Sequence, residues 1–206
     1  MIFALPYCNI IHSNISIVPE FNYDKYDRKI SLISYGDLYN MPIIFDKMKV
    51  VGFDKERGRL QLDGEESPVF MAKMHALQNH IINYVYINRR KYFATEYCEL
   101  AEYSQAQIHN IFQTFVKDNI ITVYFNKRNT TTFYRDHGEH VDYPPVNSLA
   151  NPHETNLQFE IGQYVRLIFR IHGILLMNIN NSPVPMLRIQ YSIPYCYVAL
   201  AKAGHA

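Results

Sequence analysis

The sequence predicts a mainly β domain carrying one or two helices, and three observations carry that expectation. Strand formers are abundant: 17 Tyr and 12 Phe stand beside many Ile and Val, while Trp is absent and only 8 Gly occur. Two long C-terminal stretches, 162–177 and 186–199, alternate apolar and polar residues with the period of a half-buried strand. Between strand-like segments, Met74, Leu77, Ile81 and Val85 recur in steps of three and four, the spacing of an amphipathic helix.

The segments follow in order. Residues 1–41 alternate Ile-rich and polar pieces, which suits an N-terminal arm or one or two added strands; "FNYDKYDRK" reads as solvent-exposed. From Pro42, "PIIFDKMKVVGFD" reads as a strand, "DKERG" as a turn and "RLQLDG" as the returning strand of a hairpin. Ser67 and Pro68 are suitable starting residues for the helix that follows. "NRRKYFATEY" then reads as a loop or a strand. "SQAQIHNIFQTFVKDN" is a second helix candidate, capped by Ser104, with Ile108, Ile111, Phe112 and Phe115 on one face. "IITVYFNKRNTTTFYRD" reads as two strands around a polar turn, and 136–158 as a long loop rich in Pro, Asn and His. The two long strands close the domain, and 201–206 forms a tail. A helix inside a run of strands disfavours a pure sandwich and fits an OB-like Greek-key barrel. The expected organisation is a single OB-like domain over 42–200, with 1–41 added to it.

The bulk properties exclude little. A formal charge of +1 gives no global signal for nucleic acid, although a local basic face is compatible with it. Cys8, Cys98 and Cys196 are odd in number, far apart and without CxxC spacing, so reduced thiols in an intracellular compartment, cytoplasm or nucleus, are expected. The N-terminal "MIFALPYCNII" lacks the cationic start of a signal peptide, and no apolar run reaches the ~20 residues of a membrane span. No membrane partner is therefore expected. No phosphate-loop, dinucleotide or nucleophile-elbow motif occurs, so no cofactor and no catalytic residue is assigned.

The stretch "GQYVRLIFRIHGILLM" raises the functional question. Val165, Leu167, Phe169 and Ile171 mark its core face, so Tyr164, Arg166, Ile168, Arg170 and His172 project together on the other. If the last strand pairs with it, Arg188 joins that face, with Leu187, Ile189, Tyr191 and Ile193 turned to the core. Two further basic-aromatic stretches are Arg89, Arg90, Lys91, Tyr92 and Phe93, and Lys127, Arg128, Tyr134 and Arg135. Cations neutralise phosphates and flat rings stack on unpaired bases, so these residues are candidates for gripping single-stranded DNA or RNA. The bland reading is a solvated strand face or a guarded sheet edge.

The stretches "QFEIGQYVRLIFRIHGILLM" and "MLRIQYSIPYCYV" resemble the closing hairpin of OB-fold single-stranded-DNA-binding proteins of phages and large DNA viruses. The resemblance covers about a fifth of the chain. It implies a non-enzymatic protein that holds displaced strands in replication or recombination, with a homo-oligomer and the inside of an infected cell as further expectations. Many such proteins end in an acidic recruiting tail; here no acidic residue follows Glu160, so recruitment of that kind is not expected.

Two other readings compete. A Tyr-rich, strand-rich chain without catalytic motifs also suits a viral structural or assembly protein. The loop "YRDHGEHVDYPP" with the nearby His153 offers His137, His140 and His153 as metal candidates for a hydrolase or nuclease. His137 and His140 lack the helical frame that places two ligands on one face, and a polar loop tip accounts for them equally well.

Overall fold

A computed structural model describes residues 4–125, 131–136, 159–178 and 184–199, the side chains of 135 and 136 excepted. The strands are β1 (Leu5–Pro6), β2 (Ile15–Ile17), β3 (Asn22–Tyr23), β4 (Lys29–Tyr35), β5 (Met41–Ile44), β6 (Met48–Asp54) and β7 (Arg59–Asp63), then, beyond the helices, β8 (Phe112–Gln113), β9 (Val116–Lys117), β10 (Ile120–Tyr124), β11 (Thr132–Asp136), β12 (Tyr164–Met177) and β13 (Met186–Ala199). Helices α1 (Pro68–Tyr92) and α2 (Gln105–Asn110) lie between β7 and β8. The chain is mainly β with an α+β composition, as expected, and of the one or two helices expected the described residues hold two α-helices.

The hairpin β12–β13 is the spine of the fold. β13 runs antiparallel to β12 along its whole length. The opposite edge of β12 is shared in succession by β6, β5 and β4. At the last of these junctions Gly173 opposes Leu32, and any Cβ there would collide with the Ser31 carbonyl oxygen. Only glycine admits so close an approach of two backbones. β6, β7 and β10 continue the sheet as antiparallel neighbours, with β9 at that edge.

The core lies between this sheet and α1. Helix residues Phe70, Met74, Leu77, Ile81 and Val85 are fully buried with Met41, Ile43, Leu60, Leu62, Leu167 and Phe169 from the strands. Each such side chain contributes about 1.5–3 kcal/mol of burial. Although α1 has 25 residues, no helix among those described is long and apolar enough to cross a membrane.

Several expectations need correction. Of the two alternatives for the N-terminal region, an arm or added strands, residues 15–35 form strands: β2 and β3 each pair with β4, and β4 pairs with β12. "NRRKY" is neither loop nor strand but the last turn and a half of α1, where the cations of Arg89, Arg90 and Lys91 suit the negative end of the helix. The second helix stops early, at Asn110. Its start holds, because Ser104 and Gln107 form a reciprocal capping box. Downstream, buried Gln78 of α1 accepts from the backbone N–H groups of Phe115 and Val116 and donates to the Val116 carbonyl, each at 3.0 Å. That clamp ties the backbone at 115–116 to α1 rather than to a second helix. β10 and β11 do not pair as a hairpin either: β10 pairs with β7 and β9, whereas β11 runs parallel to β13. Among the described residues the sheet stays open, so the closed OB-like barrel is not observed.

Candidate nucleic-acid interface

The side of the β12–β13 hairpin that faces away from the core gathers Arg166, Arg170, His172, Arg188 and Tyr134 of the candidate residues. On β12, Val165, Leu167, Phe169 and Ile171 point into the core, which turns Arg166, Ile168 and Arg170 to the other side. Arg166 is exposed and sits directly opposite Tyr197 of β13; Ile168 sits opposite Tyr195. Tyr197 is in turn the parallel neighbour of Tyr134 on β11, and the two rings stack at 5.1 Å with planes 14° apart. Tyr195 lies 6.1 Å from the same Tyr134 ring. One exposed guanidinium, the half-buried rings of Tyr195 and Tyr197, and the buried Tyr134 and Ile168 thus share a small area outside the main core. Directly opposed residues in such a ladder have Cβ atoms about 4.5–5.5 Å apart, so the Arg166 side chain emerges beside the ring of Tyr197.

A backbone irregularity creates this grouping. Strict alternation from Leu187 through Ile193 would send Tyr195 and Tyr197 into the core. Between the pairs Ile168–Tyr195 and Arg170–Ser192 the register slips, β13 using one more residue than β12. Cys196 therefore takes the core position, where burial pushes its thiol pKa up, and its two tyrosine neighbours face outwards. The sequence reading missed both tyrosines for this reason.

Further along β12 the face becomes more enclosed. Arg170 is half-buried, and its Nε has no hydrogen-bond partner. His172 Nε2 meets Ser192 Oγ at 2.8 Å. Burial holds the His172 pKa below the usual histidine value, and the charges of Arg170 and Arg28 lower it further. Arg188 opposes Leu175 and lines a shallow 140 Å³ pocket with Tyr124, Gln190 and Tyr191. The strands do pair, so Arg188 stands on the non-core side of β13, near the far end of the hairpin from Arg166.

Other candidates fall elsewhere. Tyr164 donates to both carboxylate oxygens of Glu66 at 2.9 Å; that bond raises its pKa, with the charges of Glu66 and Asp63 adding to it. An acidic surrounding suits phosphate poorly, so the basic face begins at Arg166. Tyr92 and Phe93 are not stacking platforms. Phe93 is 1% exposed in the core, and the Tyr92 hydroxyl donates to the Val18 carbonyl at 2.9 Å and meets Ser31 Oγ at 3.0 Å. Arg89 folds over the Tyr86 ring at 4.4 Å and donates to the Tyr86 carbonyl. Arg90 faces Glu102 at 3.7 Å, and Lys91 is exposed. Arg135 belongs to β11, but its side chain lies outside the described residues, as do Lys127, Arg128, His137, His140 and His153. Among the described residues no group of His, Cys, Asp or Glu could hold a metal ion.

No protein-family model matches the chain, and no curated protein matches it.

Proposed function

We propose that the protein binds single-stranded nucleic acid, DNA in preference to RNA, on the outer side of the β12–β13 hairpin and performs no chemistry on it. The observation that carries the reading is the exposed Arg166 standing opposite Tyr197, itself stacked on Tyr134. A guanidinium beside an aromatic surface can neutralise a phosphate while the ring takes an unpaired base, and neither contact reads a base edge. Little sequence preference follows. The bulk charge of +1 is compatible, because affinity needs only a local cluster of cations.

A closed OB-like barrel is not required for this. An open sheet with one long hairpin offers the same alternation of cation and ring, and the resemblance of the hairpin sequence to single-stranded-DNA-binding proteins of phages and large viruses supports the same role in replication or recombination. Fluorescence anisotropy with labelled single-stranded and duplex oligonucleotides at two salt concentrations tests the proposal. Single strands are expected to bind more tightly than duplex, with affinity falling as salt rises. Equal, weak binding of both would refute it, and large assemblies in size-exclusion chromatography without nucleic acid would favour an assembly role instead.

A further inference from the structure

A second aromatic-cationic cluster lies at the far end of the same strand. β3 and β4 form a hairpin whose tip projects beside the C-terminal end of β12, since Lys29 pairs with Tyr23 on one side and Leu176 on the other. Tyr23 is 68% exposed and Tyr26 47% exposed. The Lys25 ammonium lies 5.0 Å from the Tyr26 ring centroid and the Arg28 guanidinium 5.2 Å, while Lys29 lies 5.4 Å from the Tyr23 ring. Between this tip and β12 runs an open groove of about 640 Å³, lined by Tyr23, Arg28, Lys29, Leu175, Met177 and Asn178 among others. That is within the size range of small-ligand sites, about 300–1,000 Å³.

The tip is also built to stay in place. Asp24 accepts from the backbone N–H groups of Tyr26 and Arg28 and from Nε and Nη2 of the Arg28 side chain. Burial pulls the Asp24 pKa up, but these bonds to Arg28 and Tyr26 outweigh it and hold the carboxyl below its ordinary range. Arg28 is thereby held through Nε and Nη2, and its charge acts on His172.

We infer that this groove continues the single-strand interface: the strand that crosses Arg166 and Tyr197 runs on along β12, and its next nucleotides stack on Tyr26 and Tyr23. The inference rests on the proposed function. Arg166 and Leu176 are separated by about 33 Å at about 3.3 Å per residue, so one short oligonucleotide cannot fill both ends. The charges divide the two ends by mechanism. At the tip, Arg28 is paired with Asp24 and Lys29 with Glu96, and Asp27 also lines the groove, so the cations there are offset by carboxylates. Stacking therefore supplies the affinity there, whereas Arg166 supplies salt-dependent affinity at the other end.

The test uses the full chain with oligothymidylates of about 4 and about 12 nucleotides, lengths within the footprint range of single-strand binders. Tyr26→Ala and Tyr23→Ala remove exposed rings, and circular dichroism checks that folding is intact. Each is expected to weaken the long oligomer about tenfold, to spare the short one and to leave the salt slope unchanged. Wild-type affinity of both variants for the long oligomer, with Arg166→Ala still weakening it, would overturn the extension and leave the proposed function standing. An equal loss on both lengths would also overturn it, by placing the tip within the primary site. If wild-type protein binds neither oligomer, both readings fall.

Discussion

The end of α1 and the outer side of the β12–β13 hairpin draw on the same residue types and put them to opposite uses. "RRKYF" packs three cations and two rings into five consecutive positions. On a helix each residue turns about 100° from the last, so Arg90 and Lys91 reach solvent while Tyr92 and Phe93 swing into the core. The Tyr92 hydroxyl there anchors the N-terminal segment through Ser31 and Val18. On β12 and β13, a period of two and one register slip leave Arg166, Tyr195 and Tyr197 on a common side. Density of cations and rings in a sequence is therefore no measure of an interface. The backbone period decides whether they share a face.

Substitutions at the two regions should separate accordingly. Phe93→Ala carries the largest expected effect, a loss of about 3–5 kcal/mol in urea unfolding, with no change in single-strand affinity per folded molecule. A loss of affinity in fully folded Phe93→Ala protein would break the contrast. Tyr197→Ala should do the reverse, costing about 1–3 kcal/mol of binding free energy in an anisotropy titration and less in stability.

His172 gives a smaller, pH-dependent effect. Its folded-state pKa lies below the ordinary value, so its contribution to stability is complete above about pH 6.5 and is lost as pH falls from there through the folded value. A bound phosphate backbone favours the charged imidazole, so the pKa measured by NMR titration should rise when a single strand is added. An unmoved His172 titration would place the strand away from mid-β12. The smallest effect belongs to Arg90→Ala and Lys91→Ala, each expected to alter affinity and stability by less than about 1 kcal/mol.

Much of the spine was legible in the sequence. The alternation from Val165 to Ile171 and from Leu187 to Ile193 gave the correct core sides, and the helix from Pro68 followed its spacing of three and four. What could not be read were events set by partners distant in sequence. The slip opposite Arg170 that turns Tyr195 and Tyr197 outwards depends on pairing between strands. The early end of α2 coincides with a clamp from Gln78, about 37 residues upstream of Phe115. Tyr164 looked like part of the basic face because Glu66, its partner, is 98 residues away in the chain. The tyrosines of the β3–β4 tip were passed over because a polar, charged stretch reads as ordinary solvent-exposed chain until the groove beside it is known.

The central claim is that a single strand lays its phosphates against the guanidinium groups of β12. The most direct test is the slope of log affinity against log salt concentration for wild type and for the Arg166→Ala, Arg170→Ala double variant. Two lost phosphate contacts predict a slope shallower by about 1.4, at about 0.7 per contact for single strands, together with weaker binding. Wild-type affinity and an unchanged slope in the folded double variant would contradict the assignment.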